Sequence, residues 1–171
     1  MAAKKFLRLV NGIITEIVAT VTSAGAGNAG DLVALDDSGK LDSTVMPVGI
    51  GADTTVLPAS EALSAGDFVN IFNNSGTIKC RKAVANAAGK EAHGFVLSSV
   101  SEAANATIYR AGTNSAVTGL TAGVIQYLSA SSAGAATATP PSTSGYVVQK
   151  LGVTSSATSI NFQPSDFIVL A

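Results

Sequence analysis

The chain contains one stretch that is written twice in tandem, and this internal repeat restricts the fold more than any other feature. The first copy has Leu63-Ser-Ala-Gly66 before an apolar run, and the second has Leu120-Thr-Ala-Gly123 before another. Later in each copy, His93-Gly-Phe-Val96 has a counterpart in Leu151-Gly-Val-Thr154. The similarity is partial and the last interval is shorter in the second copy, which makes this a pseudo-repeat. One structural unit used twice is the simplest interpretation.

Each copy consists of short β-branched runs bounded by small polar residues, a composition typical of strands and turns. Charged residues make up only 12% of the chain and aromatic residues 5%, the former about half of the usual share. We therefore expect an all-β body, a small barrel or sandwich, over residues 53–171, with pseudo-repeat halves at about 60–115 and 117–171. Strands are predicted near residues 67–72, 77–82, 93–99, 105–110, 124–128, 135–139, 145–153, 158–162 and 167–170.

The first part of the chain, residues 1–52, is predicted to be an extended N-terminal arm with a β-hairpin and a linker. Asn11-Gly12 is a strong two-residue turn signal between two apolar runs, because both positions accept positive φ. The runs are apolar on both faces, and a two-stranded ribbon is marginally stable alone in water. We therefore expect the ribbon to dock on a neighbouring chain. Its predicted partner-binding residues are Phe6, Leu7, Leu9, Ile13 and Ile17.

Charge, hydropathy and cysteine content each exclude a class of function. The formal net charge is −1 and no basic block is present, so nucleic-acid binding is not expected. No apolar stretch reaches the length of a membrane span, and no membrane partner is expected. Cys80 is the only cysteine, so neither an intrachain disulfide nor a cysteine-based metal cluster can form. A protein made in a reducing cytoplasm is the expectation.

Three candidate chemical motifs have simpler structural explanations. The run from Gly25 to Gly30 matches the Gly-x-Gly-x-x-Gly pattern, but strand-like residues and a turn follow it instead of a helix. Asp36, Asp37 and Asp42 do not have the spacing of a calcium loop, and turn formation accounts for them. His93 is the only histidine, and no Gly-x-Ser-x-Gly elbow accompanies it. We expect no catalytic residue, metal, cofactor or small-molecule substrate, and no enzyme activity.

Several segments that together touch nearly the whole chain resemble proteins of tailed bacteriophages. Residues 30–47 and 139–152 resemble segments common in the structural proteins of phage virions. Leu63-Ser-Ala-Gly-Asp67, Ala92-His-Gly-Phe-Val96 and residues 106–112 are similar to phage head decoration (cement) proteins. These segments consist of Gly and Pro corners and strand patterns, and none is a catalytic signature.

This resemblance implies a small β protein that binds the outside of the phage head and stabilises contacts between coat-protein capsomers. The implied partners are the major capsid protein and further copies of the chain itself, as a homotrimer. The implied location is the capsid surface of the virion, after synthesis in the host cytoplasm. An alternative is a tail-fibre or baseplate component, because segments like residues 36–42 also occur in tail fibres. A glycan-active or glycan-binding tail domain is a third hypothesis, although paired acids and aromatic platforms are scarce.

Overall fold

The computed structural model describes residues 4–46 and 52–171, which belong to two compact units, Met1–Gly51 and Ala52–Ala171. The predicted all-β class is confirmed, because the described residues form fourteen strands and only two three-residue 3₁₀ helices. No helix in these two ranges has the length and apolar character of a membrane span.

The N-terminal unit begins with the antiparallel hairpin that the sequence indicates. Strand β1 (Lys5–Val10) pairs with β2 (Ile13–Val18) in a register that places Val10 opposite Ile13. Asn11 and Gly12 form the turn with φ values of 51° and 83°. Such values match the right-handed twist of the two strands, and Asn and Gly tolerate them best.

Between the hairpin and residue 46, the described residues contain turns and one isolated bridge instead of further strands. The two 3₁₀ helices cover Ala26–Asn28 and Ser43–Val45. The strand-like residues after Gly30 form only one parallel bridge, between Val33 and Thr20. The Gly25–Gly30 run therefore opens only a three-residue 3₁₀ turn, which cannot form the helix N-terminus of a dinucleotide site.

The C-terminal unit contains three sheets. The first has five strands: β3 (Thr54–Pro58), β4 (Phe68–Asn74), β5 (Thr77–Lys82), β6 (Gly94–Phe95) and β7 (Asn105–Tyr109). The second has five more: β8 (Gly112–Asn114), β9 (Ile125–Leu128), β10 (Ala136–Thr137), β12 (Lys150–Ser156) and β13 (Ser159–Phe162). The third pairs β11 (Val147–Val148) with β14 (Ile168–Val169).

The two five-stranded sheets have the same strand order, and we call them the first repeat (54–109) and the second repeat (112–162). Their orders are β3-β7-β6-β4-β5 and β8-β13-β12-β9-β10, so each places its first strand beside its last. Single hydrogen bonds repeat as well. The N–H of Gly66 donates to the Val96 oxygen at 2.8 Å, and that of Gly123 to the Thr154 oxygen at 2.9 Å.

Two segments of the C-terminal unit differ from the sequence-based prediction. Strands β3 and β8, the first strand of each repeat, were not predicted. Residues 83–92, for which a short helix or a loop was considered, form a loop.

Two hydrophobic cores lie on opposite faces of the first sheet. Its inner face carries a core of its own, centred on Val69, Cys80 and Ile108. Its outer face carries Phe68 and Phe95, and these pack against residues of the second repeat. In the second repeat, the residues that contact them lie on the face equivalent to the inner face of the first: Leu128, Ile160 and Phe162.

Aromatic rings fill the seam between the repeats. The ring centroid of Phe162 lies 5.5 Å from those of both Phe68 and Phe95, and Tyr109 stacks on Phe95 at the same distance. Such offset and edge-on pairs add to the stabilisation from area burial.

The sequence predicted either a barrel or a sandwich for the body. The described residues of the structure do not form a closed barrel. The edges of the first sheet meet only at one parallel bridge, Ala59 to Cys80, and not along a ladder. A closed barrel requires continuous pairing between its first and last strands. The two five-stranded sheets are instead open, and they share a core.

Candidate partner-binding surface

The β1–β2 ribbon exposes apolar side chains on both of its faces. Opposite residues of an antiparallel pair point to the same face, and successive residues alternate between faces. The register therefore defines two sets. The apolar residues of the Leu9 face are Leu7, Leu9, Ile14 and Val18, and Lys5 and Glu16 share that face. The apolar residues of the Phe6 face are Phe6, Val10, Ile13 and Ile17, with Arg8 and Thr15 between the two apolar pairs.

Most of these side chains are largely open to solvent. Leu7, Leu9, Ile13 and Ile14 are 72%, 67%, 69% and 71% exposed. Phe6 and Ile17 are half-buried, and they oppose each other across the two strands. Single exposed apolar residues are ordinary, but several exposed apolar side chains on each face of one ribbon are typical of an interaction surface.

The structure divides the five predicted partner-binding residues between the faces. Leu7 and Leu9 share one face, while Phe6, Ile13 and Ile17 share the other. The prediction omitted Ile14 and Val18 on the Leu9 face and Val10 on the Phe6 face. The Asn-Gly turn fixes the register from the sequence, so counting outward from the turn identifies all three omitted residues.

Polar contacts attach the start of the ribbon to the rest of the N-terminal unit. The ammonium group of Lys4 donates to the backbone oxygens of Leu35 and Asp36, the latter at 3.0 Å. Lys5 forms an ion pair with Glu16 across the strands. The N–H of Ala19 donates to the Lys4 oxygen at 2.8 Å. These contacts hold the base of the ribbon and leave the residues nearest the turn free for a partner.

Three aspartate carboxylates organise the turns of the N-terminal unit. Asp36 accepts bonds from the N–H groups of Lys40 and Ser38 at 2.9 and 2.8 Å, which lower its pKa. The Thr44 hydroxyl and N–H lower the pKa of Asp42 in the same way, because they bond to its charged form. The pKa of Asp31 is lowered by the side chains of Asn28 and Thr20.

These bonds account for Asp36 and Asp42, two of the three aspartates considered as calcium ligands. Among the described residues, no group of three or more His, Cys, Asp or Glu side chains is placed to hold a metal ion. Asp36 and Asp42 instead stabilise their own turns by side-chain to backbone bonds, as expected for Asp at a turn.

The two remaining chemical candidates lie in the first repeat and serve its structure. Cys80 is buried in the inner core, where burial raises the pKa of its thiol. It faces away from Lys79 and Arg81, as the alternation of the strand predicts. The Nδ1 atom of His93 accepts the N–H of Ile71 at 3.0 Å, so this ring satisfies a backbone donor beside β4.

Comparison with known proteins leaves the ribbon as the main guide to function. A scan against protein-family models found no match for this chain, and a search of curated proteins found none either.

Proposed function

We propose that this chain is a capsid decoration (cement) protein that binds the outside of a phage head and stabilises contacts between capsomers. The observation that carries the proposal is the ribbon with two exposed apolar faces. The resemblance of residues 63–67, 92–96 and 106–112 to head decoration proteins indicates the kind of partner. The major capsid protein is the proposed binding partner, and the capsid surface is the proposed location.

The energetics of the ribbon suit a docking element. Burying one Leu or Ile side chain contributes about 1.5–3 kcal/mol. Each face of the ribbon has four apolar residues, so contact with a partner on both faces supplies several times that amount. A ribbon that is apolar on both sides fits between two surfaces, which is the geometry required at a seam between coat subunits. Strand edges of the ribbon add backbone hydrogen bonds.

We further propose that the chain acts as a homotrimer. Three linked ribbons bind a shell more tightly than one, because docking of the first places the others at high effective concentration. The low share of charged residues agrees with a chain whose surface is partly covered by other subunits. Sedimentation equilibrium of the purified protein tests this step, and a monomer at every concentration contradicts it.

The central experiment adds purified protein to coat-protein shells that lack it. Wild-type protein is expected to co-sediment with the shells and to raise the temperature at which they open. The double variant Leu9→Ser/Ile14→Ser removes two side chains from one face, and we expect at least about a hundredfold weaker binding.

A matched control separates docking from general loss of apolar surface. Ile168 lies on β14 of the C-terminal unit and is 66% exposed, close to the 67% of Leu9. The variant Ile168→Ser should bind shells as the wild type does. Equal occupancy of the shells by the wild type and the Leu9→Ser/Ile14→Ser variant contradicts the role of the ribbon.

A tail-fibre or baseplate component is the second candidate, favoured by the segment of residues 36–42, whose type also occurs in tail fibres. Electron microscopy of virions that carry a tagged copy separates the two. Density on the head supports decoration, whereas density confined to the tail supports the alternative and removes the capsomer role.

A further inference from the structure

A groove follows the outer edge of β10 in the second repeat. Two adjoining pockets of about 200 and 290 Å³ form it, and both are lined by Leu120 and Ala136. One wall consists of residues 134–138 and the other of residues 116–121. The larger pocket has no charged side chain in its lining, and the smaller one has Asp67, whose carboxylate pairs with Lys82 at 3.3 Å.

The first repeat shows what covers the equivalent edge. There, Ala59 forms a parallel bridge with Cys80 on β5, and the N–H of Ser60 donates to the Cys80 oxygen at 2.8 Å. Cys80 lies opposite Ile71, just as Ala136 lies opposite Leu128. An extended segment with small side chains therefore closes this edge in the first repeat.

In the second repeat, the corresponding segment is held elsewhere. The Asn114 side chain donates to the Gly66 oxygen at 2.9 Å and accepts the N–H of Ala116 at 3.2 Å. Gly66 has no Cβ, which leaves room for the Ala116 carbonyl beside it. Residues 114–116 are therefore anchored at the Gly66 corner, and the edge of β10 stays uncovered.

The backbone of Ala136 faces this open edge. Hydrogen-bonded and non-bonded positions alternate along an antiparallel pair. The N–H of Ser129 donates to the Ala135 oxygen at 3.0 Å, so positions 135 and 137 bond inward and Ala136 turns its N–H and C=O outward. Within the described ranges, no turn or loop backbone group bonds to Ala136.

Gln126 adds a second, independent sign of a missing partner. It lies in the groove at the position equivalent to Val69, and it is only 2% exposed. Its Oε1 atom is buried and has no hydrogen-bond partner among the described residues. Buried side-chain oxygens are nearly always bonded. The side chain lines the groove, so an occupant with a donor group can supply the bond when the Gln126 side chain changes its torsion angles.

We propose that the groove binds an extended, uncharged segment of a partner protein, which adds to the edge of β10 as a short strand. Such addition uses main-chain bonds for affinity and side-chain pockets for specificity. The segment carries a small residue beside Ala136, as Ala59 and Ser60 do beside Cys80, and a hydrogen-bond donor for Gln126. Pro140 and Pro141 lack N–H groups and limit the pairing to the few residues before them.

A second copy of this chain is not the occupant that the structure favours. Its matching segment is already in use, because Ala59 is 1% exposed and its N–H donates to the Ala104 oxygen at 2.9 Å. The proposal does not depend on capsid binding, since it concerns a different unit from the ribbon.

The test uses the full chain and a synthetic peptide with blocked ends that copies its residues 54–60, together with a scrambled control peptide. Binding of the first peptide should shift the NMR signals of Ala136 and of the Gln126 side-chain amide. Hydrogen exchange at the Ala136 N–H should slow by about tenfold or more. The scrambled peptide should leave both unchanged.

Two variants and a control locate the binding. Ala136→Pro removes the outward N–H and should abolish binding, while Gln126→Val, which introduces the residue of the first repeat, should weaken it about tenfold. Thr113→Ala, on the opposite edge strand β8, should bind as the wild type does.

Three results overturn the proposal. The proposed site is contradicted if the peptide leaves the NMR signals of Ala136 and Gln126 unchanged. It is also contradicted if the wild type and Gln126→Val bind the peptide with equal affinity. Concentration-dependent dimers that Ala136→Pro abolishes assign the groove to a second copy and remove the partner protein. Shell binding by the ribbon is measured separately, so failure of one proposal leaves the other intact.

Discussion

The two repeats of the C-terminal unit have one strand order but different interiors. The inner face of the first carries Val69 and Val96, and the equivalent positions of the second carry Gln126 and Thr154. The first repeat closes its edge over an apolar core, whereas the second leaves a groove. The comparison shows that two repeats with the same strand order can differ in the side chains of their interiors and in whether a segment covers the sheet edge.

The two polar substitutions inside the second repeat are not equally accommodated. Thr154 accepts the N–H of Val124 at 3.0 Å and donates to the Thr121 oxygen, so its hydroxyl is satisfied. The oxygen of Gln126 is not. Burial without a bond is the costly case, which makes Gln126 the residue that most distinguishes the two interiors.

The largest expected effect tests whether the shared topology rests on close backbone approach. Gly94 and Gly152 are equivalent glycines; a Cβ on Gly152 would overlap the Asn161 oxygen, and one on Gly94 would lie 2.6 Å from the Tyr109 oxygen. Gly152→Ala and Gly94→Ala should each lower the free energy of unfolding by at least about 3 kcal/mol. Urea denaturation measures this, with Ser155→Ala as the surface control. A loss of stability in only one of the two glycine variants would contradict the structural equivalence of Gly94 and Gly152.

A smaller effect should separate the repeats at their Leu-x-Ala-Gly corners. Gly66 and Gly123 have φ values of 91° and 78°, so Ala costs about 1 kcal/mol at either. Only Gly66 has a neighbour, the Ala116 carbonyl, where a Cβ would sit. Gly66→Ala should therefore cost about 2 kcal/mol more than Gly123→Ala in the same denaturation experiment. Equal costs would contradict the anchoring of residues 114–116 at this corner.

Exchanging the interior residues should act in opposite directions. Val69→Gln places an amide in a sealed apolar core and should destabilise by about 2–3 kcal/mol. Gln126→Val removes an unpaired oxygen and should be neutral or stabilising by about 1 kcal/mol. Differential scanning calorimetry of both variants checks the signs. A loss of stability in Gln126→Val comparable to that in Val69→Gln would show that the Gln126 amide is satisfied.

The smallest effect concerns Cys80 and Ala136, which occupy equivalent positions on the edge strands β5 and β10. Cys80→Ala leaves a small void in the first core and should cost about 1 kcal/mol. Ala136→Cys enlarges a residue beside the open groove and should change stability by less than about 0.5 kcal/mol. Thermal denaturation compares the two, and a larger loss in Ala136→Cys would indicate that the groove is closed.

Much of the strand pattern was predictable because it is written in local signals. Strand β5 has the predicted bounds, since a turn ending at Gly76 and an alternating run define it. Strands β3 and β8 were missed for a physical reason. Each is the first strand of its repeat and pairs with the last, β7 or β13, so its structure depends on a contact distant in sequence.

The two candidate sites, the ribbon and the groove, also differ in how far the sequence predicts them. The ribbon faces follow from one turn and simple alternation, so the sequence contains them in full, including Ile14 and Val18. The groove depends on Asn114 reaching Gly66, a contact 48 residues apart. No local pattern records that contact, and only the folded chain shows that the edge of β10 is uncovered.

The outer face of the first sheet packs onto the inner face of the second sheet, so the two repeats follow each other in the same orientation. If a two-fold axis related the two repeats, each would bury the same face against the other. Here the outer face of the first repeat packs on the inner face of the second, so the outer face of the second repeat is the last in the series. The terminal surface carries Ile125, Val153 and Asn161 where the first repeat has Phe68, Phe95 and Tyr109. Smaller side chains, one of them polar, replace aromatic rings there, so the series of packed repeats ends at this sheet.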